Sequence, residues 1–318
     1  MDSSANDQAE PGDIIGMLEQ GRRQFLALVA HIRPDLHRYC TRMTGSVTDG
    51  EDVVQDTLAA ALFELSQSRA LPPLRPWLFR IAHNKTIDHL RHEKYRRHEP
   101  IEAASDVADD AAGEPDNMLA RSQATRAAIA CFLALAPAQR ACVILKDVLD
   151  HSAEDIALEL NLSVPAVKSA LHRGRAVLRQ AARAPSPAPN ASPISPALLR
   201  YASLFNAHDW DGVRALLADD VRLDLVSRRK AAGRREVGQY FSNYDRTAGW
   251  QLLPAWLEGR EALAVRTQAQ SEAPTYFIEI HWAGGRVASI RDFRYVPYIA
   301  RDAAYQLYFT PACPLPAM

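Results

Sequence analysis

Ser152–Gln180 reads SAEDIALELNLSVPAVKSALHRGRAVLRQ, and the helical half of the chain is understood outward from it. Ser152 suits a helix N-cap, and Ile156 and Leu160 then share one face of the helix it opens. Asn161–Ser163 is a short turn. In the second helix Val164, Val167, Leu171, Gly174 and Leu178 follow helical spacing and are expected to pack on the first, with Pro165 tolerated in the opening turn. Lys168, His172, Arg175 and Arg179 recur at steps of four, three and four and line a different face. Between Ser163 and Arg183 there are five cations and no acid. A helix pair with one apolar and one basic side is the logic of a helix-turn-helix, whose second helix meets a groove or its phosphates. Lys and Arg contacts to phosphate supply affinity without sequence information.

The whole chain gives no such signal. Its formal charge is −1 over 318 residues, so attraction to nucleic acid has to come from segregated charge. Glu99–Asp116 holds seven acids and no base, the counterpart of the basic helix. With 47% hydrophobic residues, two or three folded units are expected. Cys40, Cys131, Cys142 and Cys313 form no CxxC pair, which fits free thiols in a reducing cytoplasm. The polar, acidic N-terminus and the lack of a long uncharged stretch predict a cytoplasmic protein with no membrane span. His37 with Cys40, or His89 with His92, are three apart, but neither pair has further ligands nearby, so no metal and no cofactor are expected.

Upstream, TGSVTDGEDVVQDTLAAALFEL predicts an amphipathic helix with a polar, acidic face of Glu51, Asp52, Gln55 and Asp56, suited to a basic protein partner. RPWLFRIAHNKTIDHLRHEKYRRHE follows, with Trp77 and Phe79 at its start and Arg91, Lys94, Arg96 and Arg97 at its end. Aromatic residues beside cations suit stacking on unpaired bases while the backbone is gripped. His83, His89, His92 and His98 are expected on the same surface.

In order and spacing, GEDVVQDTL, WLFRIAHNKTIDHLR and VKSALHRGRAVL resemble regions 2 and 4 of sigma-70 class sigma factors of the extracytoplasmic-function group, over about Phe25 to Ala182. The resemblance implies two all-α helical domains, sigma region 2 and a helix-turn-helix region 4, and a non-enzymatic function: binding core RNA polymerase through its β′ clamp helices and β flap, and binding promoter DNA. It puts Glu51, Asp52, Gln55 and Asp56 on the polymerase. It places the loop of Ser68 to Arg75 and residues Trp77, Asn84, Asp88, Arg91 and Lys94 at the −10 element, and Ser163, Lys168, Ser169, His172, Arg173 and Arg175 at the −35 element. Ala170 and Gly174 depart from the family's usual residues, so the promoter sequence does not transfer.

After the proline-rich run APSPAPNASPISP (Ala184–Pro196), which favours an extended spacer, the pattern changes. One helical stretch, PALLRYASLFNAHDWDGVRALL, precedes the period-2 runs VRLDLV, ALAVRT, TYFIEIHW and RVASIRDFRYV, with Gly284 and Gly285 set for a hairpin turn. Helices followed by an antiparallel sheet predict an α+β domain. LFNAHDWDGVRALLADDVRLDL resembles the SnoaL-like group of the nuclear transport factor 2-like fold, which implies a cone-shaped domain around a cavity and a regulatory role, with an unidentified small ligand. Asp224, His281, Asp292 and Tyr201 are its titratable residues to inspect, ion pairing with Arg222, Arg291 and Arg294 being the plain explanation of the two acids. The expected division is 1–20 a flexible N-terminus, 21–98 region 2, 99–118 an acidic linker, 119–183 region 4, 184–196 a linker and 197–310 the SnoaL-like domain. The rival readings are a helix-turn-helix regulator acting without polymerase, and a SnoaL-like enzyme or ligand-binding module fused to a DNA-binding unit.

Overall fold

The structure is a computed structural model that describes residues 11–68, 70–96, 129, 131–181, 193–245, 249–267 and 273–308. The acidic stretch of Glu99–Asp116 and most of the proline-rich run lie outside the described residues. The chain forms two compact units, one joining 1–100 to 135–179 and the other joining 101–134 to 180–318.

The first unit is all helix: α1 Pro11–Val29, α2 Arg33–Thr44, α3 Val47–Gln67, α4 Leu74–Arg96, α5 Pro137–Val143, α6 Ala153–Leu160 and α7 Val164–Ala181, with a π turn at Ile144–Val148 after α5. Helix α1 already begins at Pro11, inside the stretch expected to be flexible up to residue 20. Helices α2 and α3 cross so closely at Gly50 that a Cβ there would stand 2.7 Å from the Thr41 backbone nitrogen, which only glycine permits. Ser46 caps α3 by accepting from the Asp49 N–H at 3.2 Å. Leu36, Tyr39, Met43, Val54, Leu78, Phe79, Leu145 and Ile156 are buried together along these helices, each worth about 1.5–3 kcal/mol on leaving water. The two helical segments expected as separate domains thus pack as one unit, because α4 lies on α6 and α2 on α5.

The second unit is α+β: α8 Pro196–Asn206, α9 Trp210–Ala215, β1 Leu217–Leu225, β2 Arg229–Ala232, α10 Arg234–Tyr240, β3 Gln251–Leu257, β4 Arg260–Arg266, β5 Tyr276–Ala283, β6 Arg286–Asp292, α11 Tyr298–Asp302 and β7 Tyr305–Leu307. The seven strands run β2-β1-β6-β5-β4-β3-β7. The sheet is mixed and not purely antiparallel, since β1 and β6 pair in parallel. Gly284 and Gly285, at φ 57° and 74°, close the β5–β6 hairpin between Ala283 and Arg286, as their sequence predicts. The single helix expected from Pro196 breaks instead at His208, whose φ is 58°, and restarts where Asp209 accepts from the Gly212 N–H at 2.8 Å. Leu198, Tyr201, Phe205, Leu223, Ile278 and Ile290 make the core between sheet and helices. Ile194 is already buried in that core and Ser195 caps α8, so the unit starts inside the expected linker.

Candidate nucleic-acid interface

Helix α7 is set by its packing against α5 and α6. Ser152 caps α6 by accepting from the Asp155 N–H at 2.9 Å, and Asn161 takes the left-handed conformation, φ 53°, that turns the chain toward α7. Val167, Ala170, Leu171 and Gly174 are buried. A Cβ on Gly174 would stand 2.8 Å from Val143 Cγ2, so this departure from the family pattern is a close helix–helix approach. On the opposite side Ser163, Lys168, Ser169, His172 and Arg173 are all exposed. Arg175 sits at the edge of that face and is held by Asp147, its Nε donating to the carboxylate at 2.9 Å. That ion pair raises the Arg175 pKa further and ties the exposed side chain to the π turn that carries Asp147.

Helix α4 shows the same division. Asn84, Asp88, Arg91 and Lys94 are exposed at helical spacing along one face, with Arg91 3.4 Å from Asp88. Arg80, four residues before Asn84, is exposed on the same face; that spacing is the signal by which it was legible. Trp77 departs from its expectation. It is only 7% exposed and its indole N–H donates to Glu64 at 3.2 Å, because its position on α4 faces α3. His83 departs too: it is in hydrogen-bond contact with Tyr39 at 2.8 Å, and burial lowers its pKa. His89 is half-buried, His92 is exposed, and His98 lies outside the described residues.

On α3, Asp52 and Asp56 are exposed and Gln55 half-buried. Glu51 is completely buried and ion-paired with Arg33 of α2. It cannot present its carboxylate to a partner, because the tight crossing at Gly50 turns it inward. His37 is buried, its Nε2 within 3.0 Å of the Val47 carbonyl, so it braces the α2–α3 turn. Among the described residues no cluster of three or more His, Cys, Asp or Glu is placed to hold a metal. No described helix is long and apolar enough to cross a membrane.

Between the two faces lies a network no sequence spacing revealed. Arg75, which opens α4, reaches His151 Nε2 from Nη2 at 3.0 Å and donates to Asp35 at 3.0 Å. His151 Nδ1 lies 2.9 Å from Glu159 on α6, and both His151 and Glu159 are buried. Burial raises the Glu159 pKa against the pull of His151. Arg140 donates to the carbonyls of Leu135 and Met43, tying α5 to α2.

In the α+β unit, Asp292 is wholly buried. Its partners are not arginine side chains: it accepts from Tyr240 Oη, from Tyr244 Oη at 3.0 Å and from the Arg294 backbone N–H at 2.8 Å. Burial raises its pKa. Asp224 is ion-paired, but with Lys230 at 3.8 Å and not with one of the expected arginines; Arg291 pairs with Glu279. His281 is exposed on β5, whereas Tyr201 is buried on α8 within electrostatic reach of Asp292, and burial together with that carboxylate raises the Tyr201 pKa. A cavity of about 220 Å³ between β1, β2 and α10 is lined by Leu223, Leu225, Tyr240 and the Arg229–Glu236 ion pair.

An all-helical unit with a basic helix-turn-helix and a second polar helix face has the architecture of a DNA-binding protein. Comparison with known proteins makes the class explicit. Residues 28–96 match the family model for Sigma-70 region 2 and residues 125–178 that for Sigma-70, region 4. The chain is 33% identical to the ECF RNA polymerase sigma factor SigL of Mycobacterium tuberculosis over 147 residues, which cover 45% of this chain and 80% of SigL. It is 32% identical to the ECF RNA polymerase sigma factor SigG of the same organism over 231 residues, covering 65% of this chain and 60% of SigG. The chain therefore spans 60% of the length of SigG. The crystal structure of the M. tuberculosis extracytoplasmic function sigma factor SigJ aligns at 19% identity and a TM-score of 0.35, covering 84% of this chain and 95% of SigJ. The chain belongs to the extracytoplasmic-function RNA polymerase sigma factors.

Proposed function

We propose that the chain binds core RNA polymerase, recognises −35 and −10 promoter elements and initiates transcription, with its C-terminal SnoaL-like unit modulating that activity. The observation that carries the reading is the exposed basic face of α7, positioned by Ser152, Asn161 and Gly174 within a chain of the sigma family. Ser163, Lys168, Ser169, His172 and Arg173 are the residues assigned to the −35 element, with Arg175 at the rim. Arg80, Asn84, Asp88, Arg91 and Lys94 are assigned to the −10 element, with Trp77 supporting α4 from inside. Asp52, Gln55 and Asp56 are assigned to the polymerase clamp helices, Glu51 serving only to hold α3 on α2.

The protein acts in the cytoplasm, where polymerase and promoter are, and is not itself an enzyme. Asp292, the buried acid of the α+β unit, accepts from Tyr240, Tyr244 and the Arg294 N–H, hydrogen bonds that serve the unit's own core. The test is run-off transcription with core polymerase, comparing the full chain with one ending near Ala184. A promoter-specific transcript is expected, with its yield changed by the truncation. No transcript from either form overturns the sigma reading; equal transcripts overturn modulation by the C-terminal unit.

A further inference from the structure

Strand β2 lies at the edge of the sheet and pairs with β1 so that Ala231 stands opposite Leu223. Gly233, at φ 86°, turns the chain directly into α10, and that helix packs on both strands. The methyl of Ala231 is too short to fill the space between hairpin and helix. What is left is the cavity of about 220 Å³ walled by Leu223, Leu225, Ala231 and Tyr240. Tyr240 contributes its ring, because its hydroxyl is committed to Asp292. On the Asp292 side the interior is closed by aromatic packing: Tyr240 and Phe205 stand 5.1 Å and 4.9 Å from Tyr244, centroid to centroid. The unfilled apolar volume is thus on the other side of Tyr240.

The rim of the cavity is charged. Arg229 on β2 is ion-paired with Glu236 on α10, and both side chains are exposed, at 62% and 44%. Exposed pairs of this kind contribute little and exchange readily. Arg229, together with the Ala232 N–H, holds the Glu236 carboxyl below its ordinary pKa, so the rim is ionised at neutral pH. Cations dominate around it. Arg228 to Glu236 contains five cations and one acid, and an adjoining depression of about 600 Å³ adds Arg222 and Arg291 against the further acid Asp224. Such a field favours an incoming anion over a cation.

We propose that this cavity binds a small aliphatic carboxylic acid, its chain against Leu223, Leu225 and Ala231 and its carboxylate on Arg229 in place of Glu236. Glu236 is itself a carboxylate on Arg229, so the ligand repeats a contact the structure already contains, and the planar guanidinium suits it. At about 220 Å³ the cavity is below the roughly 300 Å³ at which pockets for drug-sized molecules begin. It equals about seven waters at about 30 Å³ each, room for an acid of about six carbons. The site rests on contacts within the α+β unit; its use as the input through which that unit modulates transcription rests on the reading above.

The test titrates the isotope-labelled full-length chain with hexanoate, hexylammonium and hexanol and follows amide shifts by NMR. Hexanoate is expected to move the Leu225 amide saturably and hexylammonium not at all, with hexanol at least about tenfold weaker than hexanoate for want of the charge-assisted hydrogen bond. Arg229→Gln should weaken hexanoate by the same factor. Glu236→Gln, which frees Arg229 from an exposed ion pair, should tighten it by up to about fivefold. Ala231→Leu, which fills the cavity, should abolish the response. Thermal melts check each variant, and the exposed Arg229 and Glu236 substitutions judge the site if Ala231→Leu does not fold. No saturable hexanoate response, or one that survives in a folded Ala231→Leu protein, overturns the site. Hexylammonium binding as tightly as hexanoate overturns the preference for an anion, and unchanged affinity in both rim variants overturns the exchange of carboxylates. In run-off transcription hexanoate should change the yield from the wild-type chain and leave that from Ala231→Leu unchanged; a wild-type yield indifferent to hexanoate overturns its use as an input. Absence of any transcript counts instead against the proposed function, leaving the titration to judge the site.

Discussion

At the scale of single residues, two side chains carry consequences that their neighbours in sequence conceal. Gly174 looks like a weak point in a basic helix, yet it is where α7 touches Val143, 2.8 Å from a would-be Cβ. Gly174→Ala is expected to destabilise the helical unit by about 1–3 kcal/mol, the usual cost of overpacking, seen as a lower urea midpoint with an unchanged slope. Asp292 is a carboxyl lifted above its ordinary pKa by burial. Between the ordinary carboxylate value and the raised one, the folded chain holds a proton that the unfolded chain has released. Stability must then fall as pH rises through that window. The melting temperature of the full chain, compared with Asp292→Asn, should lose this fall in the variant; parallel pH profiles would show that Asp292 does not titrate there. Cys40, pushed up to about 12 by burial, is a packed thiol and not a redox centre.

At the scale of elements, the amphipathic readings of α3, α4 and α7 identify which helices face a partner, but not how each is rotated. Periodicity defines a stripe around a helix axis; the crossing with a neighbour decides where the stripe's edges fall. Glu51 and Trp77 were expected to face partners and are buried, while Arg175 leans back to Asp147. Lys168→Ala should weaken promoter binding across sequences and lower the salt slope by about one, the signature of one lost phosphate contact. Arg175→Ala should change that slope by less, since its charge is already paired. Equal slopes for the two variants in a titration against salt would mean that α7 is turned differently on the DNA.

For the whole molecule, the sigma-like part forms one compact helical unit and the C-terminal α+β part another. Each unit carries a buried core of its own, so the chain cut near Ala184 should keep the helical signal of the first unit in circular dichroism and a cooperative melt of its own. Loss of that cooperative melt would show that the helical unit depends on the α+β unit.

Local chemistry determined much of this protein directly from its sequence. The caps at Ser46 and Ser152, the turn at Asn161, the Gly284–Gly285 hairpin and the basic face of α7 each follow from residues within a few positions of one another, where propensity and periodicity act. Tertiary structure alone decided the parallel pairing of β1 with β6, the inward turn of Glu51, the tyrosine cage around Asp292 and the Arg75–His151–Glu159 contact. Those depend on groups brought together from up to 76 positions apart, and a local pattern carries no information about which distant side chain will fill an acceptor once the core has closed.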